Sequence, residues 1–147
     1  MSQPGVAGLS LSEFLEFVKD ENLAVLATVS PDGLPEAALM GVAVSASAEL
    51  IFDAPTASRK LTNIRFNDRV AVVIGWRGAI SFQIEGSARM VSRDERRHYE
   101  KIYESQFPNS RVSNPTFEVV VVTPNWLRRY DATTEPSRCD FADWLED

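Results

Sequence analysis

Between Leu50 and Val73 a short apolar strand, Leu50-Ile51-Phe52, runs into Asp53-Ala54-Pro55-Thr56-Ala57 and then into Ser58-Arg59-Lys60-Leu61-Thr62-Asn63-Ile64. Those residue types in that order can bind an anion. Thr56 or Ser58 can cap a helix whose first turn leaves backbone N–H groups unpaired, and Arg59 and Lys60 add two cations where the helix dipole already favours negative charge. A phosphate-bearing ligand is the natural occupant. The same residues equally suit a helix that starts at Ser58 and turns Arg59 and Lys60 to water. The segment on its own leaves both readings open.

Other chemistry is sparse. His98 is the only histidine and Cys139 the only cysteine, which excludes a histidine-rich metal site, a thiolate cluster and an intramolecular disulfide within one chain. His98 stands in Arg96-Arg97-His98-Tyr99, a polar helical stretch, and reads as a surface residue. No metal site is expected. No Gly-x-Gly-x-x-Gly, Walker lysine loop or Gly-x-Ser-x-Gly elbow occurs, so dinucleotide folds, P-loop enzymes and α/β hydrolases lose their usual warrant.

The elements that must position Ser58 to Lys60 can be read from periodicity. Ser10 and Glu13 form a capping box ahead of Leu11, Phe14, Leu15 and Val18, predicting a helix that ends near Asn22. Leu23 to Val29 reads as a buried strand, Ser30-Pro31-Asp32-Gly33 as a tight turn, and Pro35 to Val44 as the returning strand. Leu50 to Phe52 continues this as a meander, interrupted by the Ser58 helix. Arg69 to Gly75 and the alternating Ile80 to Met90 are two further strands. Ser92 and Glu95 then box a helix to about Phe107, and Phe117 to Val122 is the last strong strand. Six strands without βαβ alternation predict a closed or half-closed antiparallel barrel, mainly β with flanking helices, rather than a doubly wound sheet.

With 147 residues, 44% of them hydrophobic, one domain over 1–147 with its own core is expected. Fifteen Lys and Arg against twenty-one Asp and Glu give a net charge of −6, which argues against nucleic acid as a partner. Arg96-Arg97 and Arg128-Arg129 are too short and too near acids to change that. Met1-Ser2-Gln3-Pro4-Gly5 lacks the basic start and apolar run of a signal peptide, and no later segment approaches a membrane span. The expectation is a soluble, cytoplasmic protein that does not engage membranes.

Four motifs in order now carry a resemblance: Leu26 to Pro35, with its Ser-Pro-Asp-Gly turn; Ser58-Arg59-Lys60 with Asn63 and Asn67-Asp68-Arg69-Val70; Trp76; and Ile84-Glu85-Gly86-Ser87-Ala88-Arg89-Met90. Together, over roughly Leu23 to Phe107, the chain resembles the pyridoxamine 5′-phosphate oxidase-like family of flavin-binding split β-barrels. The resemblance implies a six-stranded antiparallel split β-barrel with Greek-key character. It also implies a homodimer that holds two FMN molecules in grooves at the subunit interface. Ser58, Arg59 and Lys60 would hold the phosphate, Asp53 and Ala54 would approach the ribityl chain and ring, and Ser81 would contact the ring edge. Trp126 would reach the partner's cofactor where the chain leaves the barrel at Pro124. A core or dimer-interface role explains Trp76 and Trp126 as well, and Arg128 either faces the cofactor or pairs with Asp131 or Glu135. Trp144, with Phe141 and Leu145, reads as a tail docking by an apolar stripe.

Two departures narrow the function. The second-strand arginine of the oxidase subgroup is replaced by Ala38, within Glu36-Ala37-Ala38-Leu39-Met40. The tryptophan followed by an Arg-Leu-His-Asp-Arg-like run is replaced by Thr123 to Asp131. Pyridoxamine phosphate is therefore not the expected substrate, and the likeness is closer to the small general-stress and flavin reductase-like members. The resemblance implies an FMN-dependent oxidoreductase passing electrons from a nicotinamide donor to a small organic acceptor or oxygen. A deazaflavin-dependent reductase would use the same helix start. A flavin-binding protein without turnover, for storage or sensing, and a dimeric interaction module without cofactor are the rivals from other classes.

Overall fold

Strict alternation builds the sheet. In the computed structural model, which describes residues 8–145, β1 (Leu23–Val29) and β5 (Arg69–Ile74) bury every second residue, as the sequence pattern requires of strands with one face in a core. The reading of Met1 to Gly5 lies outside the described residues. The remaining strands are β2 (Pro35–Gly41), β3 (Ala43–Val44), β4 (Leu50–Pro55), β6 (Ile80–Met90), β7 (Phe117–Asp131) and β8 (Arg138–Phe141), with helices α1 (Leu11–Glu21), α2 (Arg59–Phe66) and α3 (Arg93–Gln106). All strand pairs are antiparallel. They form one sheet in the order β2-β1-β5-β6-β7-β4-β3, with β8 beside β7. The jumps from β1 to β5 and from β7 to β4 give it Greek-key character, and the sheet curls into a split half-barrel.

The described residues thus hold eight strands where periodicity predicts six, and two local causes account for the difference. The returning strand breaks at Val42, whose N–H turns to the carbonyl of Asn22, the left-handed cap of α1. β2 therefore stays with β1, while β3 crosses to pair with β4. For the same reason β4 is not part of a meander; its neighbours are β3 and β7. The second cause is a bulge: Glu85 pairs with Trp126 and Gly86 with Pro124, leaving Asn125 extra. That lets β7 run on to Asp131 past a proline, which has no N–H to give a ladder, and β8 adds the eighth strand by pairing with this extension. Gly86 permits it, since a Cβ there would lie 2.4 Å from the Thr123 carbonyl oxygen.

Helices close the barrel. Phe14 and Val18 of α1 and Leu61 and Ile64 of α2 join Leu26, Phe52, Val72, Ile84 and Leu127 in one core, each large side chain contributing about 1.5–3 kcal/mol by burial. A second cluster sets Tyr99 and Tyr103 of α3 against Ile51, Val119 and Val121 on the other side of the sheet. At α1 only half of the predicted capping box forms: Ser10 Oγ accepts from Glu13 N–H at 3.1 Å, but the Glu13 carboxylate accepts from Arg129 at 2.7 Å instead. Trp144 docks the C-terminal tail on Phe14 and donates its indole N–H to the Leu9 carbonyl at 2.9 Å. Among the described residues no helix is long and apolar enough to cross a membrane.

Candidate functional site

The start of α2 is built unlike a self-sufficient helix end. Ser58 has the extended backbone of a cap, and the first intrahelical bond runs from Thr62 N–H to its carbonyl, yet its side chain caps nothing. Ser58 Oγ is buried and has no hydrogen-bond partner. An orphaned hydroxyl of this kind calls for a ligand or water. No acid stands in the first turn. Arg59 projects into water with its side chain 81% exposed, and among the described residues Lys60 makes no ion pair.

One carboxylate faces this cationic end, and it comes from β2. Glu36 pairs with Arg59 and accepts from Asn63 Nδ2 at 2.9 Å, while that same amide donates to Thr28 Oγ1 at 3.0 Å. Asn63 and Thr28 are both buried, so the inner end of the network is enclosed while the Arg59 end lies at the surface. The Asn63 amide, opposed by burial and helped by Arg59, holds the Glu36 carboxyl below the usual carboxylate range; it is ionised at neutral pH. Around this network lies a cavity of about 240 Å³ lined by Leu26, Thr28, Glu36, Ala37, Ala38, Arg59 and Lys60. The spacing of Glu36, Ala38 and Met40 on the inward phase of β2, between exposed Ala37 and Leu39, was the signal for it. A charge on an inward strand phase must find a partner.

A second cavity, about 470 Å³, lies at the other end of β2, where Gly41 meets Asp53, Tyr103, Phe107 and Phe117. Tyr103 stacks on Phe107 at 4.7 Å and donates its hydroxyl to Asp53 Oδ1 at 3.2 Å. Gly41 admits that ring, because a Cβ there would sit 3.0 Å from the Tyr103 hydroxyl oxygen. Burial, reinforced by Asp53, pushes the Tyr103 phenol far above its ordinary value, so it is a neutral donor. Ala54 points the opposite way from Asp53, into the core, and can offer a ligand only its backbone. This second cavity borders the seam where β2 and β4 approach without pairing, whereas the first is lined by β1, β2 and the start of α2. Glu36 to Gly41 spans five residues of strand, ~17 Å.

Ser81 and Trp126 lie elsewhere, on the outer face of the sheet. Cross-strand register aligns Ala37, Ala27, Ala71, Glu85 and Trp126 in one row and Leu39, Val25, Val73, Gln83, Arg128 and Phe141 in the next. Ser81 and Tyr130 face each other one step further on. Trp126 therefore sits within β7 and not at an exit from the barrel, flanked by Phe141 at 6.0 Å and the Arg128 guanidinium at 5.7 Å. Arg128 donates to Gln83 at 2.6 Å, in place of the expected pairing with Asp131 or Glu135. Trp76 is 47% exposed, which removes the core role. Within one chain, Arg59 and Lys60 are brought together with Glu36, Asp53 stands further along the seam, and Ser81 and Trp126 do not join them.

Comparison with known proteins agrees with this architecture. The sequence pattern of the pyridoxamine 5′-phosphate oxidase family matches residues 11–131, and the chain belongs to that family. Among solved structures, a heme binding protein from Mycobacterium smegmatis superposes with a TM-score of 0.75 at 16% identity, over 93% of this chain and 59% of that one. The chain thus spans little more than half of that relative. A conserved hypothetical protein from Mycobacterium tuberculosis gives 0.72 at 22% identity, over 89% and 90% of the two chains. A pyridoxamine 5′-phosphate oxidase-related, FMN binding protein from Nostoc punctiforme gives 0.70 at 15% identity, over 92% and 90%. At these identities the likeness is one of fold.

Proposed function

We propose that this chain is a flavin-dependent oxidoreductase in which FMN lies along the β2–β4 seam with its phosphate at the start of α2. Electrons would come from a nicotinamide donor and leave to a small organic acceptor or oxygen. The observation that carries the reading is the α2 start itself: beside Arg59, a buried Ser58 hydroxyl without a hydrogen-bond partner and a Lys60 without an ion pair among the described residues. That donor set fits a phosphate monoester, which accepts from backbone N–H, hydroxyl and guanidinium alike. The Nostoc punctiforme relative, named for FMN binding, adds support from the same fold. A deazaflavin cofactor with a phosphate on a ribityl-like chain is the alternative occupant.

When bound, the flavin supplies the redox chemistry, accepting a hydride or electrons and releasing them. The chain's residues hold and orient it. Ser58, Arg59 and Lys60 would take the phosphate; Asp53, fixed by the Tyr103 hydroxyl, and the backbone of Ala54 would meet the polar middle of the molecule. The second half of the site belongs to a second copy in this reading. The outer face is apolar around Leu39 and Val73 and carries Ser81 and Trp126, so a homodimer formed on it would bring those two residues to a partner's flavin. Small apolar residues in register are what such a face needs to be desolvated.

The test is direct. Purified protein should carry, or take up, FMN; anaerobic NADH or NADPH should bleach it; and oxygen or an added acceptor should restore the colour faster than with free flavin. Bound flavin that no donor bleaches would assign the chain to flavin binding without turnover. A colourless protein that takes up neither FMN nor a deazaflavin would overturn the reading.

A further inference from the structure

We propose that Glu36 is an internal stand-in for the cofactor's phosphate, occupying Arg59 until the ligand displaces it and so keeping the bound flavin exchangeable. This rests on the reading that the α2 start takes that phosphate. Two observations point to it. The carboxylate bridges two groups of unequal burial: Asn63, buried and tied to Thr28, and Arg59, whose side chain is 81% exposed. The Arg59 half of the bridge is thus the weak one, since ion pairs in water contribute little. Among the described residues Glu36 is also the one carboxylate lining the cavity that Arg59 and Lys60 line.

Exchange follows from that geometry. An arriving phosphate takes Arg59 from one carboxylate oxygen, while the other oxygen stays on Asn63 Nδ2. No bond is made or broken beyond these contacts. The carboxylate then remains beside the phosphate as a like charge, and its repulsion subtracts from the attraction of Arg59 and Lys60. Glu36 therefore lowers the affinity of the site specifically for a ligand's phosphate and leaves the rest of the ligand untouched.

Riboflavin, which lacks the phosphate, isolates this effect. FMN and riboflavin would be titrated against the full chain by quenching of flavin fluorescence, for the wild type, Glu36→Gln and Arg59→Ala. Gln keeps an oxygen for Asn63, and thermal unfolding would check that the variant is folded. The expected result is that Glu36→Gln raises the preference for FMN over riboflavin about tenfold, ~1.4 kcal/mol, with riboflavin affinity unchanged. Glu36→Ala would give a gain of the same sign, and it serves as the test if the Gln variant is unfolded. An unchanged or reduced preference in the folded Glu36 variants, with Arg59→Ala still losing it, would overturn the role of Glu36 alone. No preference for FMN in the wild type, and none lost in Arg59→Ala, would overturn the phosphate reading as well.

Discussion

All three described helices begin at a serine, and two of them, α2 and α3, end up with opposite chemistry. At α3, Ser92 Oγ accepts from Glu95 N–H at 3.4 Å, the Glu95 carboxylate accepts from Ser92 N–H at 3.2 Å, and Asp94 adds a second acid to the first turn. That end is satisfied by its own residues. At α2, Ser58 Oγ bonds nothing, the first turn carries Arg59 and Lys60 where acids would be stabilising, and the compensating carboxylate is imported from β2. The first arrangement serves stability; the second leaves donors and positive charge for a ligand at some expense of stability.

Breaking the α2 side should show first in binding. Arg59→Ala with Lys60→Ala should weaken FMN relative to riboflavin about a hundredfold, from the loss of charge-assisted hydrogen bonds. Unfolding stability should stay within about 0.5 kcal/mol, as for other surface changes. Isothermal titration beside urea unfolding reads both quantities. Exchanging the serines separates the two ends more finely. Ser92→Ala should lower stability by ~1 kcal/mol through loss of the cap, whereas Ser58→Ala should change it by less than about 0.5 kcal/mol, because its hydroxyl caps nothing. Urea midpoints at a common slope decide this.

Acid should act most at α3, with Glu36, whose carboxyl is also held low by Asn63 and Arg59, adding its share at α2. Hydrogen bonds from Arg89, and then from the Ser92 backbone, bring the Glu95 carboxyl from its ordinary 4.5 down to about 2. A group whose native value is depressed stabilises the fold above its unfolded value and loses that contribution as the pH falls towards the native one. Stability should therefore decline between about pH 4.5 and about pH 2, and Glu95→Gln should flatten that part of the profile. The smallest effect sharpens the contrast from the other side. Lys60→Glu puts an acid into the first turn of α2 and should raise stability by ~0.3 kcal/mol while weakening FMN binding.

Much of this was legible in the order of residues. The helix starts at Ser10, Ser58 and Ser92, the alternation of β5 and β6, and the cations at 59 and 60 are local signals, and local physics kept them, although the Ser58 hydroxyl caps nothing. What was hidden depends on distant partners. β7 beyond Val122 loses its alternation at the Asn125 bulge, which exists because Gly86 on β6 leaves room for it. The break at Val42 depends on the carbonyl of Asn22 across the hairpin. Glu36 stands 23 residues before Arg59, and only the packing of α2 inside the barrel brings them together. The outer face that separates Ser81 and Trp126 from the α2 start likewise emerges from strand register rather than from any one segment.

The central claim, that the start of α2 is left open for a phosphate while the start of α3 is closed on itself, can be read amide by amide. Hydrogen exchange would be followed by NMR in the first turns of both helices, with and without FMN. The account predicts that the Glu95 amide is protected throughout, and that the amides of Arg59, Lys60 and Leu61 exchange readily in the free protein and become protected when FMN is added. Addition of FMN that leaves the α2 amides unchanged, while the flavin is demonstrably bound, would contradict it.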